Sequence, residues 1–307
     1  MDLFDRLSLA LPRLRLLREE PLAAHTSFRI GGPAEVMAFP SSLAELQALL
    51  HLSAQEGIRV RLLGAGTNIL APDGGVRGLV IVTSGALTGL SMPDAAHIEA
   101  MSGVTMARLA CFARDNGLTG LEFAHGIPGT VGGGVFMNAG AYDGEMAQVI
   151  DWVDCLDETG AAHRLGKDEL KLGYRTSVFS QLPWSIVGAH LTLTTGDETA
   201  IREKMADLAQ RRRSKQPLEY PSAGSTFKRP VGHFAGGLIE QCGLKGTKVG
   251  GAQVSEKHAG FVINAGGATC RDILALIRLV RATVLEQTGV TLEPEVRLLG
   301  CALDEES

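Results

Sequence analysis

The chain has 307 residues, 45% of them hydrophobic and 21% charged, with a formal net charge of -5 at pH 7 and a sequence pI near 5.9. This length predicts more than one domain, because single cores stop growing at roughly 250 to 300 residues. The acidic balance argues against a nucleic-acid-binding protein, and the lack of any apolar run of about 20 residues predicts a cytoplasmic protein without a membrane span.

The first two-thirds of the chain mixes helical and strand patterns. Residues 1–20 predict an amphipathic helix rather than a signal peptide, because Pro12 and several arginines interrupt the apolar stretch. A helix is predicted over residues 42–56, where Ser42 and Glu45 have capping-box spacing and Gly57 follows. The other predicted elements are strands at 58–63, 78–83, 96–101, 149–157 and 184–195 and a helix at 105–117. They do not alternate as in a parallel doubly wound sheet, so the sequence predicts an α+β protein.

A change of composition at residues 196–221 predicts a domain boundary near residue 196. A charged helix there ends in the basic run RRRSK at 211–215, which is read either as a solvated helix end or as an anion site. A strand is predicted at 258–264, then a long helix at 271–289 capped by Thr269 and Asp272 and ended by Gly289. The last predicted strand begins near residue 293.

The cysteines favour neither a metal site nor a disulfide framework. Their number is odd and no two have the spacing of a zinc or redox pair. They are Cys111, Cys155, Cys242, Cys270 and Cys301. We therefore expect no metal, and thiols that pack as small apolar residues in a reducing compartment.

Glycines are the anomaly of the composition, since there are 38 and they occur in clusters. Two clusters are candidate phosphate cradles: LGAGTNIL at 63–70 and HGIPGTVGGGVFMNAGAY at 125–142. Successive amides in glycine-rich turns bind anions, and a missing Cβ lets a ligand approach the backbone. Neither matches a Walker A motif or a complete dinucleotide fingerprint. Tight turns explain the first cluster equally well, whereas seven glycines within residues 126–144 exceed what a turn needs.

Ser225 lies in the Pro-bounded stretch PSAGSTFKRP at 221–230 and has three readings from sequence. It is a nucleophile, a phosphate-binding serine, or a turn cap. A hydrolase is disfavoured because GSTFK is not a nucleophile elbow and the nearest histidine in sequence, His233, is eight residues away.

Several motifs, in order along nearly the whole chain, resemble the UDP-N-acetylenolpyruvoylglucosamine reductase family. They are TSFRIGGPA (26–34), the two glycine clusters, GYRTS (173–177), PSAGSTFKRP, AGGLIEQCGLKG (235–246), GGAQVSEKHAGFVIN (250–264) and EPEVRLLG (293–300). The resemblance implies an FAD-binding fold of the vanillyl-alcohol-oxidase (PCMH) type over residues 1–196, in two α+β subdomains near 1–80 and 81–196. It implies a substrate domain over residues 197–307. The short segment after GYRTS resembles the branch without a long tyrosine-bearing loop.

The resemblance also assigns candidate site residues. It implies cofactor contacts at Gly64, Ala65, Gly66, Thr67, Asn68, Ile127, Pro128, Gly129, Thr130, Gly132, Gly133, Asn138, Gly140 and Tyr142. It implies substrate contacts at Tyr174, Lys215 and Lys228, which favours the anion-site reading of the basic run. Thr67 and Asn68 stand where related oxidases carry a tethering histidine, so we expect non-covalent FAD. Departures from the family pattern occur at His25, Gly134, Asp143 and Arg229.

The implied activity is reduction of UDP-N-acetylglucosamine enolpyruvate to UDP-N-acetylmuramate in peptidoglycan precursor synthesis. NADPH reduces FAD, and hydride then passes from flavin N5 to the enolpyruvyl methylene. Arg175 matches the family's carboxylate-binding residue, Glu295 its acid and Ser225 its proton donor. The alternatives are an FAD-linked oxidase of the same fold, a non-catalytic nucleotide-sugar binder and a serine hydrolase. The expected partner is the UDP-sugar alone, with the chain a monomer or weak dimer.

Overall fold

The computed structural model describes residues 1–303. The helices are α1 (Leu3–Ala10), α2 (Leu43–Gln55), α3 (Met106–Asp115), α4 (Val131–Phe136), α5 (Glu198–Lys215), α6 (Ala235–Gln241) and α7 (Cys270–Thr288). Short 3-10 turns occur at Leu22–His25, Glu122–Gly126, Met146–Gln148 and Val178–Ser180.

The strands are mostly short. They are β1 (Arg15–Pro21), β2 (Pro33–Phe39), β3 (Val60–Leu63), β4 (Ile69–Leu70), β5 (Val76–Val82), β6 (Leu90–Ser91), β7 (His97–Met101), β8 (Leu118–Thr119), β9 (Gly140–Ala141), β10 (Gly144–Glu145), β11 (Ile150–Leu156), β12 (Ala162–Gly166), β13 (Ser185–Thr192), β14 (Thr194–Thr195), β15 (Lys248–Val249), β16 (Ala252–Val254), β17 (Val262–Asn264) and β18 (Arg297–Leu298).

Side-chain caps define where the main helices begin. The Ser42 hydroxyl accepts the amide of Glu45 at α2, and Thr105 caps α3 through the amide of Arg108. At α7, Thr269 and Asp272 form a reciprocal capping box, and Gly289 ends the helix with a left-handed φ of 73°. The capped helices therefore follow the sequence pattern closely.

The first compact unit comprises Met1–Arg18, Val36–Ala65 and Gly78–Arg212. It holds most of a four-stranded sheet in the order β1-β2-β5-β3, in which β3 and β5 pair in parallel. A five-stranded sheet in the order β12-β11-β13-β7-β6 carries the larger core of this unit. Helices α3 and α4 pack into that core.

The second compact unit comprises Glu19–Glu35, Gly66–Arg77 and the chain from Arg213 onward. Its core forms between α6, α7 and the three-stranded sheet β15-β16-β17. A parallel pair, β4 with β18, joins the last two residues of the first glycine cluster to Arg297–Leu298. The domain boundary predicted near residue 196 stays a prediction.

The structure corrects three local predictions. The N-terminal helix ends at Ala10, and residues 15–21 form an edge strand, since Pro12 stops the helix and β2 is available for pairing. The strand predicted at 258–264 is only Val262–Asn264, and that near 293 is Arg297–Leu298. No helix within residues 1–303 is long and apolar enough to span a membrane.

Candidate active site

The predicted site residues are distributed over the two compact units, and each group has its own geometry. The first unit contains Gly64, Ala65, Ile127, Pro128, Gly129, Thr130, Gly132, Gly133, Asn138, Gly140, Tyr142, Tyr174 and Arg175. The second unit contains Gly66, Thr67, Asn68, Lys215, Ser225, Lys228 and Glu295.

The first glycine cluster presents unused backbone donors. The amides of Gly64, Ala65 and Gly66 have no hydrogen-bond acceptor among the described residues. Gly66 has a left-handed φ of 63°, and a Cβ there would lie 2.0 Å from the carbonyl oxygen of His25. Only glycine therefore fits this turn, and the consecutive amides have the character of an anion-binding nest.

The second glycine cluster lies beside the first. A Cβ on Gly64 would be 3.1 Å from Oγ1 of Thr130, the residue that caps α4. On α4 itself, a Cβ on Gly133 would find its nearest described atom, that same Oγ1, 3.9 Å away, so this face of the helix is open. Next to Gly132, the buried hydroxyl of Ser102 has no hydrogen-bond partner among the described residues.

Three side-chain contacts join the second cluster to the turn at 173–177. Asn138 is fully buried, and its Nδ2 donates to the carbonyl oxygen of Gly173 at 3.0 Å. Arg175 donates through Nη2 to the carbonyl oxygen of Gly140 at 2.9 Å, and Ser177 donates to that of Phe136 at 2.8 Å. Arg175 is thereby held against the end of the glycine cluster.

Unusual backbone conformations concentrate in the same region. Asn138, Tyr142, Asp143 and Arg175 all have left-handed φ values, between 41° and 66°. Such a conformation is uncommon for residues other than glycine and persists where the surrounding structure over-determines it. Arg175 also lies over the ring of the half-exposed Tyr174, with 5.1 Å from Cζ to the ring centroid.

In the second unit, the residues flanking Ser225 are fixed on both sides. Oγ1 of Thr226 accepts the amide of Val262 at 2.9 Å, and its carbonyl oxygen accepts the amide of Glu295 at 2.8 Å. The amide of Lys228 donates to the carbonyl oxygen of Glu293 at 2.8 Å. Ser225 itself is half-buried, and its hydroxyl has no hydrogen-bond partner among the described residues.

Glu295 is half-buried and adjoins both Ser225's segment and the first glycine cluster. The Nδ2 of Asn68 donates to the carbonyl oxygen of Glu295 at 3.1 Å, and the amide of Arg297 donates to the carbonyl oxygen of Asn68 at 2.9 Å. Parallel pairing of β4 with β18 continues this contact. The second unit thus brings Asn68 into contact with Glu295, and Glu295 into contact with the residue that follows Ser225.

The two predicted lysines differ in their surroundings. Nζ of Lys228 lies 2.5 Å from Oε1 of Glu293 and forms an ion pair. Lys215 is exposed on the last turn of α5. Burial lowers the pKa of the nearby His258 imidazole, and the charges of Lys245 and, less strongly, Lys215 lower it further. Residues 1–303 contain no group of three or more His, Cys, Asp or Glu side chains arranged to hold a metal.

Two family models match the chain. Residues 34–166 match an FAD binding domain, and residues 216–299 match the C-terminal domain of UDP-N-acetylenolpyruvoylglucosamine reductase. A reductase of that name from Caldanaerobacter subterraneus subsp. tengcongensis is 46% identical over 97% of this chain and 98% of its own length. This chain belongs to the UDP-N-acetylenolpyruvoylglucosamine reductase family. It is an FAD-dependent oxidoreductase of α+β fold, with the PCMH-type cofactor domain that the sequence predicts.

Other relatives agree with this family assignment. A reductase from Syntrophomonas wolfei is 47% identical over 94% of this chain and 97% of its own length. The crystal structure of a family member from Thermus caldophilus superposes with a TM-score of 0.77 at 33% identity, and covers 93% of this chain and 98% of that one.

The first unit's residues fit FAD. The amides of Gly64 and Ala65 are free to donate to a phosphate, and the open side of Gly133 gives room for a ligand against the backbone. The hydroxyl of Ser102 is a buried polar group without a partner among the described residues. Ser102 was not predicted as a site residue, because nothing in its local sequence distinguishes it.

Departures from the family pattern have local explanations at two positions. A Cβ on Gly134 would lie 2.7 Å from Sδ of Met106, so glycine fits the packing of α4 on α3. His25 forms a 2.9 Å contact between Nε2 and Oε1 of Glu20. The guanidinium of Arg229 stacks over the exposed ring of Phe234, with 3.8 Å from Cζ to the ring centroid.

Proposed function

We propose that this family member catalyses NADPH-dependent reduction of UDP-N-acetylglucosamine enolpyruvate to UDP-N-acetylmuramate, a step of peptidoglycan precursor synthesis. The observation that carries the proposal is the near full-length similarity to reductases of that name. The predicted cytoplasmic location and monomeric or weakly dimeric state belong to the same proposal.

The chemistry divides between cofactor and protein. Bound FAD supplies the redox step, accepting hydride from NADPH and delivering it to the enolpyruvyl methylene carbon. Negative charge then develops on the adjacent substrate carbon and extends into its carboxylate. The protein's task is to bind the carboxylate, stabilise that charge and provide one proton.

Arg175 is proposed to bind the substrate carboxylate. A guanidinium forms two parallel hydrogen bonds with a carboxylate and remains charged throughout. Its hydrogen bond to Gly140 and its position over Tyr174 support this role, because they restrict the side chain before substrate arrives. Positioning of this kind lowers the cost of orienting the reacting group.

Ser225 is proposed to donate the proton to the carbon that becomes anionic, and Glu295 to act as the acid that supports the transfer. The Ser225 hydroxyl is available, since it has no hydrogen-bond partner among the described residues. The hydrogen bond from the Glu295 amide to the carbonyl oxygen of Thr226, the residue after Ser225, supports this pairing of roles. A positioned proton donor typically contributes about 10²- to 10⁴-fold to rate. Lys215 and Lys228 are proposed substrate contacts.

The test begins with the purified protein under anaerobic conditions. It is expected to be yellow, to release free flavin on heating, and to oxidise NADPH stoichiometrically with the enolpyruvyl UDP-sugar. Absence of substrate-dependent NADPH loss would overturn the proposal. Rapid consumption of oxygen with another small substrate would instead indicate an oxidase.

A further inference from the structure

Arg212 approaches the second glycine cluster from α5. A Cβ placed on Gly126, where that cluster begins, would lie 3.2 Å from Cδ of Arg212. At the other end of the cluster, Tyr142 is near enough to Arg212 that a charge on its phenolic oxygen raises the pKa of the guanidinium, although burial has the larger and opposite effect. Both ends of the cluster and Arg212 belong to the first unit.

Two arginines of α5 form ion pairs, whereas the partly buried Arg212 does not; Arg213 is exposed. Arg202 pairs with Glu198 at 2.5 Å and Arg211 with Asp207 at 2.8 Å, and both arginines are exposed. Arg212 is partly buried and makes no hydrogen bond or ion pair with any described residue. Its burial lowers the pKa of the guanidinium.

A partly buried cation without a counter-ion is costly to the extent that it is desolvated, because no partner offsets that loss. Exposed charges on a helix surface carry no such cost, so Arg212 differs in kind from its neighbours in the basic run. A partly buried guanidinium that retains its charge calls for an anionic ligand.

We propose that Arg212 is the cationic contact for an anionic group of the bound flavin nucleotide. The inference rests on FAD binding and on the placement of the second glycine cluster in the cofactor site. Two parts of the cofactor have this chemistry: the diphosphate, and the N1–C2 carbonyl edge of the ring, which carries negative charge after reduction.

The experiment compares Arg212→Met with Arg211→Met, an exposed neighbour of the same type. Apoprotein of each full-length variant is titrated with FAD and with riboflavin while flavin fluorescence is followed. We expect Arg212→Met to weaken the binding of FAD by about tenfold or more if the diphosphate is the partner, and riboflavin not at all. Arg212→Lys should recover part of the affinity.

The ring assignment has its own readout, the midpoint potential of the bound flavin. If Arg212 faces the N1–C2 edge, its loss weakens the binding of reduced flavin more than that of oxidised flavin. A tenfold difference lowers the potential by about 30 mV for a two-electron couple. The proposal is overturned if Arg212→Met has the same flavin affinity and the same midpoint potential as Arg211→Met. It is also overturned if Arg212→Met raises only the KM for the UDP-sugar and leaves flavin affinity and potential unchanged.

The stability of the apoprotein distinguishes the proposed role of Arg212 from a purely structural one. Removing an unpaired buried charge should leave the apoprotein at least as stable as the parent, while the increase in melting temperature on adding FAD becomes smaller. If the apoprotein of Arg212→Met is instead destabilised and its FAD affinity unchanged, Arg212 serves the fold and the proposal is wrong.

Discussion

Replacing Ser225 by alanine separates the proposed chemistry from the stability of the fold. The substitution removes one half-buried hydroxyl that has no hydrogen-bond partner among the described residues. No internal hydrogen bond of these residues is lost, so the free energy of unfolding should change by less than about 0.5 kcal/mol. The backbone contacts of the neighbouring Thr226 remain in place.

The effect on catalysis should be far larger. Loss of a positioned proton donor costs about 10²- to 10⁴-fold in rate, or about 2.7 to 5.4 kcal/mol of transition-state free energy. In the proposed mechanism, only the half-reaction that protonates the substrate carbon needs the hydroxyl. Reduction of bound flavin by NADPH should therefore keep its rate in Ser225→Ala, while reoxidation by the UDP-sugar becomes slow.

Anaerobic stopped-flow absorbance of the flavin measures the two half-reactions separately. Thr226→Val is the matched control, because it removes the adjacent hydroxyl, whose Oγ1 accepts the amide of Val262. That variant leaves a buried amide without its acceptor and should lose about 1 to 3 kcal/mol of stability, with both half-reactions retained.

Equal slowing of both half-reactions in Ser225→Ala would refute the proton-donor role. So would a loss of stability as large as that of Thr226→Val, since the hydroxyl would then be a structural group.

Three further outcomes are expected. Asn138→Ala removes two hydrogen bonds of a fully buried side chain and should lower the free energy of unfolding in urea by about 2 to 4 kcal/mol; a loss below 1 kcal/mol would contradict this. Gly133→Ala adds a methyl on the open side of α4, so apoprotein stability should hold or rise while FAD affinity falls, and unchanged affinity would place the cofactor elsewhere. The third concerns Glu122. Burial raises the pKa of its carboxyl group, but hydrogen bonds from Thr119 and from backbone amides outweigh this effect and keep the pKa below its ordinary value. The lowered pKa contributes stability that is complete above about pH 4.5 and is lost as pH falls through the depressed pKa. In Glu122→Gln the free energy of unfolding in urea should therefore depend less steeply on pH below about 4.5. An unchanged pH dependence would show that Glu122 does not supply this stability.

The sequence predicts local structure well where one short segment contains the deciding interaction. The capping residues Ser42, Thr105 and Thr269 each start a helix at the expected place. The strand at residues 15–21 was missed, because its partner β2 comes later in the chain and an edge strand has little local pattern.

In the candidate site, too, features within one segment are visible in the sequence and contacts between distant segments are not. The glycine clusters are visible in sequence because they are continuous. The contact between Asn68 and Glu295 joins positions 227 residues apart, and no local pattern predicts it. Arg212 could not be distinguished from its two arginine neighbours, since burial alone makes it different.

The protein's own side chains hold the shape of the second glycine cluster. Asn138 and Arg175 hold left-handed backbone conformations, and hydrogen bonds of their side chains to Gly173 and Gly140 maintain the two segments together. Strain that is fixed by the protein's own contacts does not have to be created during binding. A ligand bound against this surface would therefore spend little of its binding energy on ordering the loop.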